Sequence, residues 1–134
     1  MAEMTTQDIV KTEVERTMPG TDWRTVYAHI HEMVKQPKHR IFRANNSLFI
    51  ITNNGDHTAD FSMCNADTLQ NMPKSLAEFF KAMKVCGFTE VRFTTSRPAM
   101  FRMIERAGYK AQVFPSAGMA SDDGKPVSKA KVVL

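Results

Sequence analysis

Asn71, Lys74 and Ser75 stand close together in the stretch Asn71-Met72-Pro73-Lys74-Ser75, and they are the side chains in this chain best suited to holding an anion. A helix starting there would offer free backbone N–H groups and the positive end of its dipole, with a lysine charge and a serine hydroxyl beside them. Capping explains the same residues without a ligand, Asn71 serving as the cap and Lys74 as a solvated lysine. His57 and Asp60 fall on a segment expected to be extended, where a base could face a substrate. Isolated polar residues on an outer face are more often solvated than catalytic, so neither is assigned a catalytic role. His29 and Glu32 are one helical turn apart, but His31 points elsewhere and His39 completes no coordination shell, so no metal site is assigned. No GxSxG elbow supports a Ser/His/Asp triad. Cys64 and Cys86 sit in neither a CxxC nor a Cys/His spacing, which reads as free, packed thiols in a reducing compartment.

The chain has 134 residues, of which 43% are hydrophobic, enough for one core and one domain. Its longest obvious apolar run is Leu48-Phe49-Ile50-Ile51, far short of the roughly 20 residues of a membrane span. The N-terminus lacks the basic segment and apolar stretch of an export signal, so the protein is expected to stay in the compartment where it is made. The 18 Lys and Arg against 14 Asp and Glu give a net charge of +4. The basic residues are dispersed, with modest clusters at Lys35 to Arg43 and at Arg97, Arg102, Arg106 and Lys110. No aromatic residues interleave with them, and nucleic acid is not the partner this pattern favours. The 10 methionines fall at core spacings and read as adaptable packing.

These residues need elements to position them. Residues 1–20 form a polar N-terminal segment in which a loose helix can start at Thr6, with Ile9, Val10, Val14 and Met18 as a narrow apolar face. Residues 21–134 make the domain proper. Thr21 or Asp22 can cap a helix reaching about Gln36, and Pro37 stops it. Lys38 to Arg43 then leads into a strand at Ser47–Thr52, and Asn53-Asn54-Gly55-Asp56 signals a hairpin turn. His57–Met63 returns, with Ala59, Phe61 and Met63 alternating against Thr58, Asp60 and Ser62. After a loop, Asn71 or Thr68 caps a helix whose core face is Leu76, Phe79, Phe80 and Met83, closed by Gly87. A strand at Glu90–Thr95 precedes a short helix in which Ser96 can cap, Pro98 suits the first turn and Gly108 ends the element. Met100, Phe101, Ile104 and Ala107 share one face of it. Strands at Tyr109–Phe114 and Ser128–Leu134 follow, joined past an Asp123-Gly124 turn. The class this predicts is α/β (α+β), a mixed central sheet with helices on both faces in a single domain.

This order of elements over residues 21–134, with Met103-Ile104-Glu105-Arg106-Ala107-Gly108-Tyr109 matching the end of a characteristic helix, resembles the GNAT superfamily of acetyl-CoA-dependent N-acetyltransferases. The family's helix ends in a segment like Asn-x-x-Ala-x-x-Leu-Tyr-x-Lys-x-Gly-Phe. Its tyrosine, which protonates the departing CoA thiolate, aligns on Ile104, and an isoleucine donates no proton. The family's Arg/Gln-x-x-Gly-x-Gly/Ala loop should lie between Cys64 and Ser75, yet Cys64-Asn-Ala-Asp-Thr-Leu-Gln-Asn-Met-Pro-Lys-Ser75 contains no glycine. Glycines suit that loop because backbone amides must approach the pyrophosphate with no Cβ in the way. The resemblance places any residual cofactor contacts at Asn71, Lys74 and Ser75. In the family two neighbouring strands splay into a V that admits CoA.

The chain is also similar in overall pattern to small acetyltransferase-like and head-assembly proteins of short-tailed phages. That likeness implies a catalytically degenerate structural or assembly component of a virion, found in host cytoplasm or virion. Its partners would be phage structural proteins, with a homo-oligomer also open, and it would need no cofactor. The alternative is an active acetyl-CoA-dependent N-acetyltransferase with an atypical loop, using acetyl-CoA.

Overall fold

The computed structural model describes residues 4–95, 97–114 and 127–134. Ser96, and the Pro115–Ser121 and Asp123-Gly124 stretches, lie outside the described residues. Among the described residues, four helices and six strands follow one another as α1 (Thr6–Thr17), α2 (Trp23–Met33), β1 (His39–Ala44), β2 (Ser47–Asn53), β3 (Thr58–Asn65), α3 (Met72–Val85), β4 (Glu90–Thr95), α4 (Ala99–Arg106), β5 (Ala111–Val113) and β6 (Ser128–Val133). The strands form one mixed sheet in the order β1-β2-β3-β4-β6-β5. All neighbours are antiparallel except β3 and β4, which run parallel because α3 carries the chain back between them.

Strand alternation splits the apolar residues between two cores. Phe49 and Ile51 of β2 join Ala59 and Phe61 of β3 under α3 and α4, while Leu48 and Ile50 face the opposite way toward α1 and α2 with Cys64. The run Leu48 to Ile51 is buried on both faces for this reason. Aromatic contacts dominate the first core: Phe49 stacks on Phe79 at 4.1 Å between ring centroids, and Phe61 meets Phe79 edge-on at 4.9 Å. The second core is closed by α1, whose Ile9, Val10 and Val14 are fully buried. Thr5 and Asp8 form a reciprocal capping box at its start, and those hydrogen bonds hold the Asp8 carboxyl below the usual carboxylate range.

Several boundaries differ from those the sequence predicts. The connection through Lys38 to Arg43 is itself strand β1, paired with β2 from His39↔Thr52 to Ala44↔Ser47. Its single buried residue, Ala44, leaves little periodic signal because β1 is an edge strand. Helix α2 stops at Met33, and the residues to Gln36 continue as turns. The hairpin places Gly55 and His57 at positive φ, so β3 begins at Thr58 and His57 belongs to the turn. Pro98 occupies the cap position of α4, one residue before the first turn. Tyr109 donates its N–H to the Ile104 carbonyl and packs against Phe80, so it closes α4 and β5 begins only at Ala111.

Candidate functional site

The parallel junction is where the sheet opens. Strands β3 and β4 pair over three residues, from Thr58↔Glu90 to Asp60↔Arg92, and then part. Beyond that point β3 stays with β2 as far as Asn65, and β4 stays with β6 as far as Thr95. The gap between them is a cleft of about 330 Å³. Its walls are Phe61 and Met63 from β3, Phe93 from β4, Met72 from α3, and Met100 and Met103 from α4, with Glu13, Arg16 and Arg97 at one end.

Backbone phase determines what β3 offers to this cleft. Asn54 donates to the Thr58 carbonyl and Ala66 to that of Asn46, so the even-numbered residues of β3 exchange hydrogen bonds with β2. The odd-numbered residues therefore direct N–H and C=O toward β4. Past the last paired residue, the Met63 N–H has no ladder partner among the described residues, a donor able to polarise a carbonyl. Two residues on, the Asn65 N–H donates to Glu13 Oε2 at 3.3 Å. Glu13 also pairs with Arg16 and lies 3.6 Å from the Arg97 guanidinium. One carboxylate thus ties α1 to both lips of the splay.

The predicted anion-holding residues lie at the start of α3, and they do not act together. Ser75 is fully buried; its hydroxyl donates to Asp67 Oδ2 at 2.7 Å and accepts from Asn45 Nδ2 at 3.0 Å. Asp67 further accepts from the Ser47 hydroxyl at 2.6 Å and the Asn46 N–H at 3.1 Å. A built-in carboxylate therefore sits against the first turn of α3. Asn71 makes no side-chain cap bond and is exposed, as is Lys74. The Met72 N–H donates to the Thr68 carbonyl at 3.0 Å, and Pro73 has none to give. Few helix-end donors remain among the described residues, and the Asp67 carboxylate stands beside them.

Helix α4 presents Ala99, Met100 and Met103 to the cleft, and none can donate a proton. Ile104 is fully buried in the core beneath, so the position aligned with the family's tyrosine faces packing rather than the cleft. His57 and Asp60 are exposed and lie away from the cleft, at the closed end of the β3–β4 junction. On α2, His31 stacks on Tyr27 and Glu32 pairs with Lys35 at 2.8 Å, an ion pair that holds the Glu32 carboxyl low. His39 meets the Thr52 hydroxyl at 2.9 Å. No group of three His, Cys, Asp or Glu side chains comes together to hold a metal among the described residues. Cys64 is buried, and Cys86, expected to be packed, is exposed at the end of α3. The sequence marks Met63 only as part of a strand alternation and Arg97 only as part of a basic cluster, and Glu13 not at all; the backbone phase and the crossing of α1 bring them to the cleft.

The architecture has relatives among solved structures. Spermidine N-acetyltransferase from Vibrio cholerae, in complex with CoA and spermine, superposes with a TM-score of 0.65 at 9% identity over 98% of this chain and 93% of that one. Ribosomal-protein-S18-alanine N-acetyltransferase from Escherichia coli gives 0.62 at 11% identity, covering 98% and 91%. The chain has the GNAT fold. A Bacillus subtilis acetyltransferase in complex with CoA superposes at 0.57 with 10% identity, covering 99% and 95%. No family model matches the chain, and no curated sequence does. The likeness shows the fold. No helix among the described residues is long and apolar enough to cross a membrane.

Proposed function

We propose that this GNAT-fold protein binds through its cleft without transferring acetyl groups, and that it serves as a structural or assembly component. The observation that carries this reading is the Asp67 carboxylate held against Ser75 at the start of α3, where the GNAT fold would seat a pyrophosphate. Like charge and the scarcity of free amides both oppose a diphosphate there. The α4 residues facing the cleft supply no acid for a departing thiolate. The setting proposed is a virion, with a phage structural protein as partner, on the resemblance read from the sequence alone. Calorimetry with acetyl-CoA tests the reading: no heat is expected, and micromolar binding would overturn it. Copurification with capsid or tail components tests the setting.

One observation favours an active N-acetyltransferase instead. The Met63 N–H has no ladder partner among the described residues and lines the cleft, where it could polarise a thioester carbonyl. Turnover of acetyl-CoA with a panel of amines, polyamines and peptide N-termini included, would establish that reading, and a clean negative would remove it.

A further inference from the structure

We propose that the β3–β4 splay is a docking groove for an extended segment of a partner protein, apolar in alternate side chains and carrying one acidic residue. The proposal rests on the reading that the cleft binds rather than transfers. Two properties of the groove point to a peptide strand. The Phe61 carbonyl and the Met63 N–H and C=O face the gap beyond Asp60, while the Asn65 N–H and carbonyl are held by Glu13 and Arg16, so the groove wall is a short open strand edge of the kind that accepts strand addition. Its side walls are methionine and phenylalanine, which adapt to apolar side chains placed every second residue.

Charge selects the acidic residue. Arg16 and Arg97 converge on one carboxylate, Glu13, leaving one unit of positive charge at that end of the groove. Arg97 is half exposed and holds Glu13 loosely at 3.6 Å, so an incoming Asp or Glu can share its guanidinium. A partner carboxylate there would add to the backbone pairing and fix the register of the strand.

The probe is a random dodecapeptide library selected against the intact protein, followed by titration of the selected peptides into protein with isotope-labelled methionine methyl groups. Selected peptides should share alternating apolar residues and a fixed Asp or Glu. The methyl resonances of Met63, Met72, Met100 and Met103 should shift on titration while that of Met18, exposed at the end of α1, stays in place. Arg97→Glu should weaken binding by about tenfold. Glu13→Gln should tighten it several-fold by releasing both guanidiniums, a gain that general loosening of the fold would not give. Melting curves establish that each variant is folded, and Arg97, being half exposed, keeps the test available if Glu13→Gln fails to fold. The groove assignment is overturned if no peptide is selected, if the four methyl groups do not respond, or if Arg97→Glu binds as the parent does. Concentration-dependent shifts of the same methyl groups without peptide would assign the groove to a second copy of the chain and also overturn it. An empty selection together with silent acetyl-CoA calorimetry removes the groove and leaves the non-transferring reading intact, whereas acetyl-CoA turnover removes both.

Discussion

The two cysteines differ in what their surroundings allow. Burial, and next the nearby charge of Glu13, push the Cys64 thiol up to about 11, so it stays protonated and inert in the folded protein. Cys86 is exposed. Alkylation near neutral pH is therefore expected to modify Cys86 alone, with Cys64 reacting only on unfolding, as intact-mass analysis would show. The same shift has a sign for stability. Below the ordinary thiol value of 9.0 both states are protonated and the contribution is complete; between 9.0 and about 11 the unfolded thiol ionises while the folded one does not, so stability falls as pH rises through that window. Cys64→Ser should flatten this loss in denaturation series across alkaline pH. Ile104 tests the chemistry at the same scale. Because it is fully buried, Ile104→Tyr should overpack the core at a cost of about 1–3 kcal/mol and create no acetyltransferase activity. Turnover in that variant would contradict the placement of the cleft-facing residues of α4.

Among the elements, α3 is anchored by polar contacts at one end and aromatic packing along its length. Ser75 links Asp67 to Asn45, joining the start of the helix to the β1–β2 turn. Ser75→Ala removes a buried hydroxyl with its bonds to the part-buried Asp67 and the exposed Asn45, and a loss of about 1 kcal/mol is expected in urea denaturation. Asp67→Asn tests the electrostatic argument directly, because it removes the charge while keeping an oxygen acceptor. If charge is what excludes a diphosphate, this variant should gain measurable affinity for CoA over the parent, and equal silence from both would place the exclusion on the missing amides instead. The edge strand β1 depends on β2 for pairing and on α3 for cover through Phe42, which packs on Phe79 at 6.0 Å.

At the level of the whole molecule, two cores on opposite faces of one sheet hold the β3–β4 gap open. Each strand at the gap is paired on its outer side, β3 with β2 and β4 with β6. Phe49 is the centre of the larger core, in contact with Phe42, Phe61 and Phe79. Phe49→Ala is expected to cost about 3–5 kcal/mol, read as a lowered midpoint in thermal or denaturant unfolding. Helix α1 belongs to the second core and also carries Glu13, so the packing of the N-terminal helix and the state of the cleft mouth are physically joined.

The class of fold, the helix faces and the absence of glycine from the loop before α3 are local properties, written in periodicity, turn residues and composition. Leu76, Phe79 and Phe80 on one helix face, and Ala59 and Phe61 on one strand face, are legible in this way. Strand β1 was not legible, since an edge strand buries too little to leave a pattern. Tertiary structure alone decided the site. Whether Ser75 is free for a ligand depends on Asp67 and Asn45, which approach it from other segments; whether the Met63 N–H has a ladder partner depends on where β4 departs from β3. Glu13 meets Asn65 and Arg97 across 52 and 84 positions of sequence, and no local pattern encodes a contact that only the packing of α1 across the sheet creates.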